Sequence, residues 1–375
     1  MKVLLTGGGT GGHVYPALAI AEALGDVAEL QPLEFLFVGT RAGLEARVVP
    51  KTGVPVAYVH AAPLQRRVSF AIVRTLVDNA RGFFEGLAIL HRFQPDVAIA
   101  TGGYVTLPVV AALWIVRLLR LSRARIALLE PNARAGLANR VLRPLVDEIW
   151  LALAPPSRAL APNEYLTGTP VRDSFARRAS PQAARSALGL DPDKTTIVVF
   201  GGSQGARTLN DAVTSLVLHD LPSHWQVLLV AGERDYEGIE RRVRAANPAN
   251  VRIERYLDDP AVAYAAADLV VARAGASTLA ELAATGTPAI LVPYPYAAGD
   301  HQSENAEVVR RTGAARVLRD ADVDARRLRD ELESALAPEA LAALRGATRA
   351  AAGKDPRTAI VDRVKALSPQ KSGHP

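Results

Sequence analysis

The chain contains no cysteine. Disulfides and thiolate metal sites are therefore excluded, and a reducing compartment is the natural setting. The seven histidines are scattered, none pairs at i, i+4, and no zinc site is expected. Aromatic side chains are only 5% of the residues. With so few rings for stacking and no nucleic-acid motif, no nucleic-acid partner is expected. No signal-peptide pattern precedes the first strand. Two Asp-x-Asp strings occur, Asp191-Pro192-Asp193 and Asp320-Ala321-Asp322-Val323-Asp324. The first lies in a proline loop and the second ends in a helix cap, so neither is read as a metal site.

What is present is apolar residue in quantity. At 375 residues, 49% of them hydrophobic, the chain has material for two cores of ordinary size. Strands and helices alternate throughout, the pattern of parallel sheets with crossover helices. The first half places strands near 2–6, 34–39, 97–101, 125–129 and 149–152, with helices near 14–24, 41–51, 70–92, 105–120 and 134–142. The pattern breaks at Leu166-Thr167-Gly168-Thr169-Pro170-Val171-Arg172. It restarts with strands near 196–200, 226–231, 251–253, 268–271 and 289–292. Helices there fall near 206–218, 235–245, 260–266, 278–284 and 303–311. The stretch 324–352 reads as helical. A last helix, over about 356–367, opens with proline and is expected to pack back on the first domain. The expected domains are 1–167 and 168–352.

Each half opens on a strand that runs into a glycine-rich turn. The turns are Gly7-Gly8-Gly9-Thr10-Gly11-Gly12-His13 and Gly201-Gly202-Ser203-Gln204-Gly205-Ala206. Glycine lets the backbone turn sharply and bares amide groups, and the following helix adds the positive end of its dipole. Each turn therefore suits a phosphate or a developing negative charge. Two such units imply two Rossmann-like domains facing each other across a cleft.

Gly7, Gly9 and Gly12 satisfy G-x-G-x-x-G. A dinucleotide site also needs an acid at the end of the second strand, which here reads Phe37-Val38-Gly39-Thr40; Glu34 stands at the wrong end. His13 opens the next helix, whose dipole favours a neutral ring able to accept a proton. Its other reading is a histidine that packs or caps. In the second half Thr278 and Glu281 have capping-box spacing. Glu281 also suits a ribose, offering two oxygens to two hydroxyls. Gly299 to Ala306 add polar groups at another strand's carboxyl end, and Arg172 suits a diphosphate.

The net charge of +6 is concentrated. Residues 63–125 hold nine arginines against Asp78, Glu85 and Asp96, which by themselves give +6. The same window holds the uncharged ten-residue run from Leu107 to Val116, opened by Pro108 and too short to span a bilayer. With Trp114 in the run and Arg117, Arg120, Arg123 and Arg125 after it, the segment reads as lying on an anionic membrane surface. It reads equally as a buried crossover helix with a solvated end.

Together these motifs closely resemble the bacterial glycosyltransferase family that adds N-acetylglucosamine to undecaprenyl-diphosphate-linked muramoyl-pentapeptide in peptidoglycan synthesis. The resemblance covers almost the whole chain. It rests on Gly8 to His13, Gly102-Gly103-Tyr104-Val105, Glu130 with Asn132, Gly168 to Arg172, Gly201 to Ala206, Ala274 to Glu281, and Asp300-His301-Gln302 with Asn305. It implies a glycosyltransferase-B fold, a UDP-N-acetylglucosamine donor, no cofactor and no tightly bound metal. Donor contacts would fall on Thr10, Gly11, Gly12, Asn132, Arg172, Ser203, Leu257, Gln302 and the helix start Ala276, Ser277, Thr278, Leu279, Ala280 and Glu281. Uracil would lie near Leu257, the ribose on Glu281, the diphosphate on Ser203 and Arg172, and the sugar on Asn132 and Gln302. Gly102, Gly103 and Tyr104 would shape the acceptor side, and the first turn would suit the acceptor's diphosphate. Membrane docking, through Trp114, Arg117, Arg120 and Arg123, would set the protein on the cytoplasmic face of the cell membrane. The family has His-Glu-Gln-Asn where this chain has Leu129-Glu130-Pro131-Asn132, so no catalytic role rests here on that His or Gln.

The implied reaction is inverting displacement at the anomeric carbon, with UDP as leaving group and a β-1,4 bond formed. His13 is the first choice of base and Glu130 the second. Rival readings are another UDP-sugar transferase acting on a glycolipid, a non-catalytic nucleotide-sugar-binding membrane subunit, and an NAD-linked oxidoreductase.

Overall fold

The computed structural model describes residues 1–63, 71–155, 158–177, 179–202, 206–248, 250–351 and 353–368. It divides into two compact units, Met1–Arg172 with the stretch from Lys354, and Asp173–Gly353.

The first unit contains β1 (Lys2–Thr6), α1 (Gly11–Gly25), β2 (Glu34–Gly39), α2 (Glu45–Val48), β3 (Val56–Tyr58) and α3 (Ala71–Phe93). It continues with β4 (Val97–Ala100), α4 (Thr106–Leu118), β5 (Arg125–Glu130), α5 (Leu137–Leu142), β6 (Glu148–Leu151) and β7 (Glu164–Leu166). The strands are all parallel, in the order β3-β2-β1-β4-β5-β6-β7. Alternate residues serve opposite faces, as the period of two demands. Val3, Leu5, Val97 and Ile99 join α1 in one core; Leu4, Ala98 and Ala100 join α4 in the other.

The second unit contains α6 (Pro181–Ala187), β8 (Thr195–Phe200), α7 (Arg207–His219), β9 (Trp225–Val230), α8 (Tyr236–Ala246), β10 (Val251–Glu254) and α9 (Ala261–Ala266). Then come β11 (Leu269–Ala272), α10 (Ala276–Thr285), β12 (Ala289–Leu291), α11 (His301–Arg311), β13 (Ala315–Val317), α12 (Ala325–Leu336) and α13 (Pro338–Ala351). Its parallel sheet runs β10-β9-β8-β11-β12-β13. The first six strands of the other sheet have the same order. In both, the chain reverses direction across the sheet beside its first strand, at β1/β4 and at β8/β11. That is where open α/β sheets bind ligands. The fold class is thus two Rossmann-like parallel-sheet domains, as the alternation implies.

The last helix, α14 (Pro356–Leu367), returns to the first unit. Asp355 caps it by accepting the Arg357 N–H at 3.2 Å, and Pro356 fills the first position, where its missing N–H costs nothing. Ile360, Val364 and Leu367, spaced along one face, pack into the α1 core. Burying each such side chain stabilises by about 1.5–3 kcal/mol.

Several elements differ from the sequence expectation. α1 starts at Gly11, because the glycine pair enters the helix instead of preceding it. α5 starts only at Leu137, because the chain before it is held by Glu130. The helical stretch 324–352 is broken at Ala337, since Pro338 disfavours helix at the residue before it. The short helix α6 and the three-residue strands β3, β7 and β13 were not anticipated.

Candidate active site

In the first unit the glycine turn leaves β1 at the carboxyl edge of the sheet and meets the Gly102-Gly103 loop that leaves β4. Gly8 N–H donates to the Gly102 carbonyl at 3.3 Å. Gly102 and Gly103 have φ of +99° and +87°, and a Cβ on Gly103 would stand 2.3 Å from the Gly8 carbonyl oxygen. Only glycine permits both that conformation and that approach. Tyr104 lays its ring edge against Gly9.

Beneath the turn lies a residue the sequence reading missed. Glu45 is fully buried. Its carboxylate accepts from Gly9 N–H at 3.1 Å, from Thr40 N–H at 2.9 Å and from the Thr40 hydroxyl at 2.7 Å. The turn is therefore not a row of bare amides, because two of them are already used by the protein. The N–H groups best placed for an anion on this side are those at the start of α1, at Gly11 and Gly12. Thr10 makes no side-chain cap there and no acid stands in the first turn.

His13 is the third residue of α1, and its Nδ1 lies 2.8 Å from the Thr101 carbonyl oxygen. A carbonyl only accepts, so Nδ1 carries a proton, and a neutral ring in this tautomer has its lone pair on Nε2. The Thr101 hydroxyl donates back to the His13 carbonyl at 2.6 Å, so backbone and ring are both fixed.

Glu130 is 3% exposed and accepts four hydrogen bonds. They come from Asn132 N–H (3.0 Å), Asn132 Nδ2 (3.3 Å), Gly136 N–H (3.2 Å) and Asn139 Nδ2 (2.8 Å). Burial raises its pKa above the ordinary carboxylate value, against the lowering effect of these donors. The arrangement makes Glu130 the post around which residues 131–136 turn, and it sets the Asn132 side chain. Asn139, which steadies it, is a second residue the sequence did not single out. Arg172 lies over the Tyr15 ring of α1 at 4.9 Å, which holds its planar fork in place.

In the second unit the corresponding turn leaves β8 through Gly201 and Gly202. Ser203, Gln204 and Gly205 lie outside the described residues. α10 follows β11 with Gly275 at its N-cap, no side-chain cap and no acid in its first turn. The capping box expected from Thr278 and Glu281 does not form, because the helix begins two residues before Thr278. Glu281 instead accepts from the Tyr264 hydroxyl, Oε2 to Oη 2.8 Å. Leu257 is half-buried in the loop after β10. Gln302, near the start of α11, accepts the Tyr294 N–H on Oε1 at 2.9 Å. That fixes its amide, since the other terminal atom is then the donor NH2. These residues all follow carboxyl ends of strands in one sheet.

The docking residues are placed less uniformly. Along α4, Val109, Val110, Ala112 and Leu113 are buried and Trp114 is half-buried. Arg117 is engaged by Asp147 through two hydrogen bonds of 2.8 and 2.9 Å. Arg120 and Arg123 are exposed beyond the helix end. Exposed apolar side chains stand in two places, Val73 (58%), Leu76 (60%), Val77 (60%) and Phe84 (68%) on α3, and Leu118 (62%), Leu119 (62%) and Leu121 (75%) at and beyond the end of α4 beside Arg120 and Arg123. No helix among the described residues is long and apolar enough to cross a membrane.

Family models match both halves, the glycosyltransferase family 28 N-terminal domain at residues 3–150 and the C-terminal domain at 196–362. A protein of Moorella thermoacetica is 42% identical over 339 residues, 88% of each chain. One of Caldanaerobacter subterraneus is 35% identical over 374 residues, 98% of this chain and all of the other. Both are named UDP-N-acetylglucosamine--N-acetylmuramyl-(pentapeptide) pyrophosphoryl-undecaprenol N-acetylglucosamine transferase. The chain belongs to this transferase family. The crystal structure of Acinetobacter baumannii MurG agrees, with a TM-score of 0.74 and 25% identity over 97% of this chain and 99% of that one. The glycosyltransferase-B fold class holds on these grounds. Within the family's pattern, Pro131 follows a Glu130 that still organises its loop through the backbone of residues 132 and 136. That role does not need the replaced His or Gln.

Proposed function

We propose that this protein moves N-acetylglucosamine from UDP-N-acetylglucosamine to the C4 hydroxyl of undecaprenyl-diphosphate-linked N-acetylmuramoyl-pentapeptide, with inversion. The observation that carries the reading is the identity of 35% and 42%, across both domains, to transferases named for that donor and acceptor. The acceptor oxygen attacks the anomeric carbon, the bond from that carbon to the diphosphate breaks, and UDP leaves with the electron pair. His13 Nε2 receives the hydroxyl proton; its pinned tautomer supports this role over Glu130, whose oxygens are occupied by loop donors. Arg172 and the uncapped helix starts meet the leaving diphosphate, where fixed donors stabilise charge without reorganising. Glu281 meets the ribose, Leu257 the base and Gln302 the sugar. Purified protein given radiolabelled donor and a short-chain muramoyl lipid acceptor should move label into the lipid phase. Label that reaches only other glycolipids, or never leaves water, would overturn the reading.

We place the docking surface on α3, whose apolar stripe lies towards the carboxyl edge of the sheet, rather than on the exposed Leu118, Leu119 and Leu121 beside Arg120 and Arg123. This helix links two parallel strands, so it runs from the carboxyl edge of the sheet to the amino edge, alongside α4. A Cβ on Gly82 would lie 3.4 Å from Pro108 Cβ, near the start of α4. Residues 71–79 therefore extend past α4 at the edge that carries the glycine turns, by about 13 Å at 1.5 Å per residue. Val73, Leu76 and Val77 face solvent on this overhang, with Arg74, paired with Asp78, among them and Arg81, paired with Glu85, at its base. An apolar stripe with basic neighbours fits the surface of an anionic bilayer. Insertion there brings the first turn to a lipid-borne acceptor, on the cytoplasmic side of the membrane.

A further inference from the structure

The donor side contains a buried tyrosine that the mechanism has not used. Tyr264, on α9, is 3% exposed. Its ring stacks on Phe200 at 5.0 Å and 23°, and meets the edge of Phe175 at 5.7 Å and 61°. Phe200 is the last residue of β8, directly before the Gly201-Gly202 turn. The plane of the tyrosine is thus set by the strand that feeds the phosphate turn. From there its hydroxyl reaches α10 and donates to Glu281 Oε2 at 2.8 Å.

We propose that Tyr264 is a positioning residue for nucleotide binding, holding the Glu281 carboxylate in the orientation that meets the two ribose hydroxyls. The inference rests on the reading of Glu281 as the ribose ligand. A half-exposed glutamate has several rotamers, and a ligand that needs one of them must otherwise select it. The stacked tyrosine removes that freedom before the nucleotide arrives. It is a reliable donor, because burial and then the Glu281 charge raise its ionisation well above the ordinary phenol value. A carboxylate oxygen has two acceptor directions, so the tyrosine's hydrogen bond does not by itself consume Oε2.

The test is calorimetric binding of UDP and of 2′,3′-dideoxy-UDP to the full chain. Wild type should prefer UDP by about tenfold or more, the worth of hydrogen bonds to a carboxylate. Tyr264→Phe keeps the ring and its stacking. It should weaken UDP by about 5- to 10-fold, yet leave dideoxy-UDP within about twofold. In a Glu281→Gln background the same substitution should change neither ligand further. Tyr264→Leu removes the stack as well and should lower the melting temperature, which Tyr264→Phe should not. If Tyr264→Phe binds UDP like wild type, or loses both ligands equally, the positioning role is wrong and the ribose reading stands. If wild type itself does not distinguish the two ligands, the ribose reading fails and takes the inference with it.

Discussion

The two glycine turns occupy the same place in their sheets, after the central strand and beside the reversal of strand order, yet the described residues around them differ. The first is braced from every side by its own domain. Glu45 lies beneath it, the Gly102 carbonyl beside it, Tyr104 against it, and His13 is pinned at its end. In the second unit the helix starts at α7 and α10 carry neither side-chain caps nor first-turn acids, as at α1, but the strand end is stacked on the tyrosine that holds Glu281. A buried carboxylate under a turn opposes a phosphate there and favours a rigid frame for a proton acceptor. An uncompensated helix start favours the phosphate. On the proposed reading, similar topology serves the base in one unit and the leaving group in the other.

The largest test of this division is His13→Ala. General-base catalysis is worth about 10²–10⁴ in rate, so kcat should fall by that factor while UDP affinity stays within about twofold. A near-normal kcat would leave His13 structural and remove the functional contrast between the turns.

Glu45→Ala comes next. It strips partners from Gly9 N–H, Thr40 N–H and the Thr40 hydroxyl. Each buried orphan costs about 1–3 kcal/mol, so denaturant unfolding should show a loss of about 3 kcal/mol or more. UDP binding should persist, and the KM for the lipid acceptor should rise. An equal loss of UDP affinity would mean that the first turn also serves the donor directly.

Glu281→Ala should weaken UDP by about 1.5–3 kcal/mol, the scale of a hydrogen-bonded carboxylate, with little change in melting temperature. Unchanged affinity in calorimetry would take Glu281 out of the site.

How much of this was legible in the sequence follows from the range of the contacts involved. β1, β4, β5, β8 and β11 are central strands buried on both faces, and continuous apolar runs announce them. β3, β7 and β13 have three residues each and sit near or at sheet edges, where no periodicity accumulates. The glycine turns, His13 and Glu281 are local motifs. Glu45 and Tyr264 are not, since the Gly9 that Glu45 braces lies 36 residues from it and Glu281 lies 17 from Tyr264, and nothing in a local window connects those pairs. The proposed membrane face shows the same limit differently. The uncharged run in α4 is apolar all round because it is mostly buried. The exposed stripe on α3 is interleaved with charge, and only the position of α4 reveals which of its faces is covered.

That contrast gives the smallest expected effect, and it sharpens the assignment of the first unit to the acceptor. Leu76 stands on the overhang of α3, at the edge that carries the first glycine turn. Arg120 and Arg123 follow the far end of α4, whose 13 residues span about 20 Å. A bilayer that contacts the overhang leaves these arginines more than two Debye lengths away at physiological salt, about 8 Å each, where their attraction is largely screened. Leu76→Ser should therefore weaken binding to anionic vesicles by about tenfold, a loss that added salt does not erase, because partial burial of an aliphatic side chain is worth about 1.5 kcal/mol. The pair Arg120→Glu and Arg123→Glu should change it by no more than about twofold. Neither variant should alter UDP affinity, because the donor residues belong chiefly to the other unit. Sedimentation with vesicles decides it. If the arginine pair releases the protein while Leu76→Ser does not, the bilayer contacts the amino edge of the sheet, and the acceptor must reach the first turn from the opposite end of the domain.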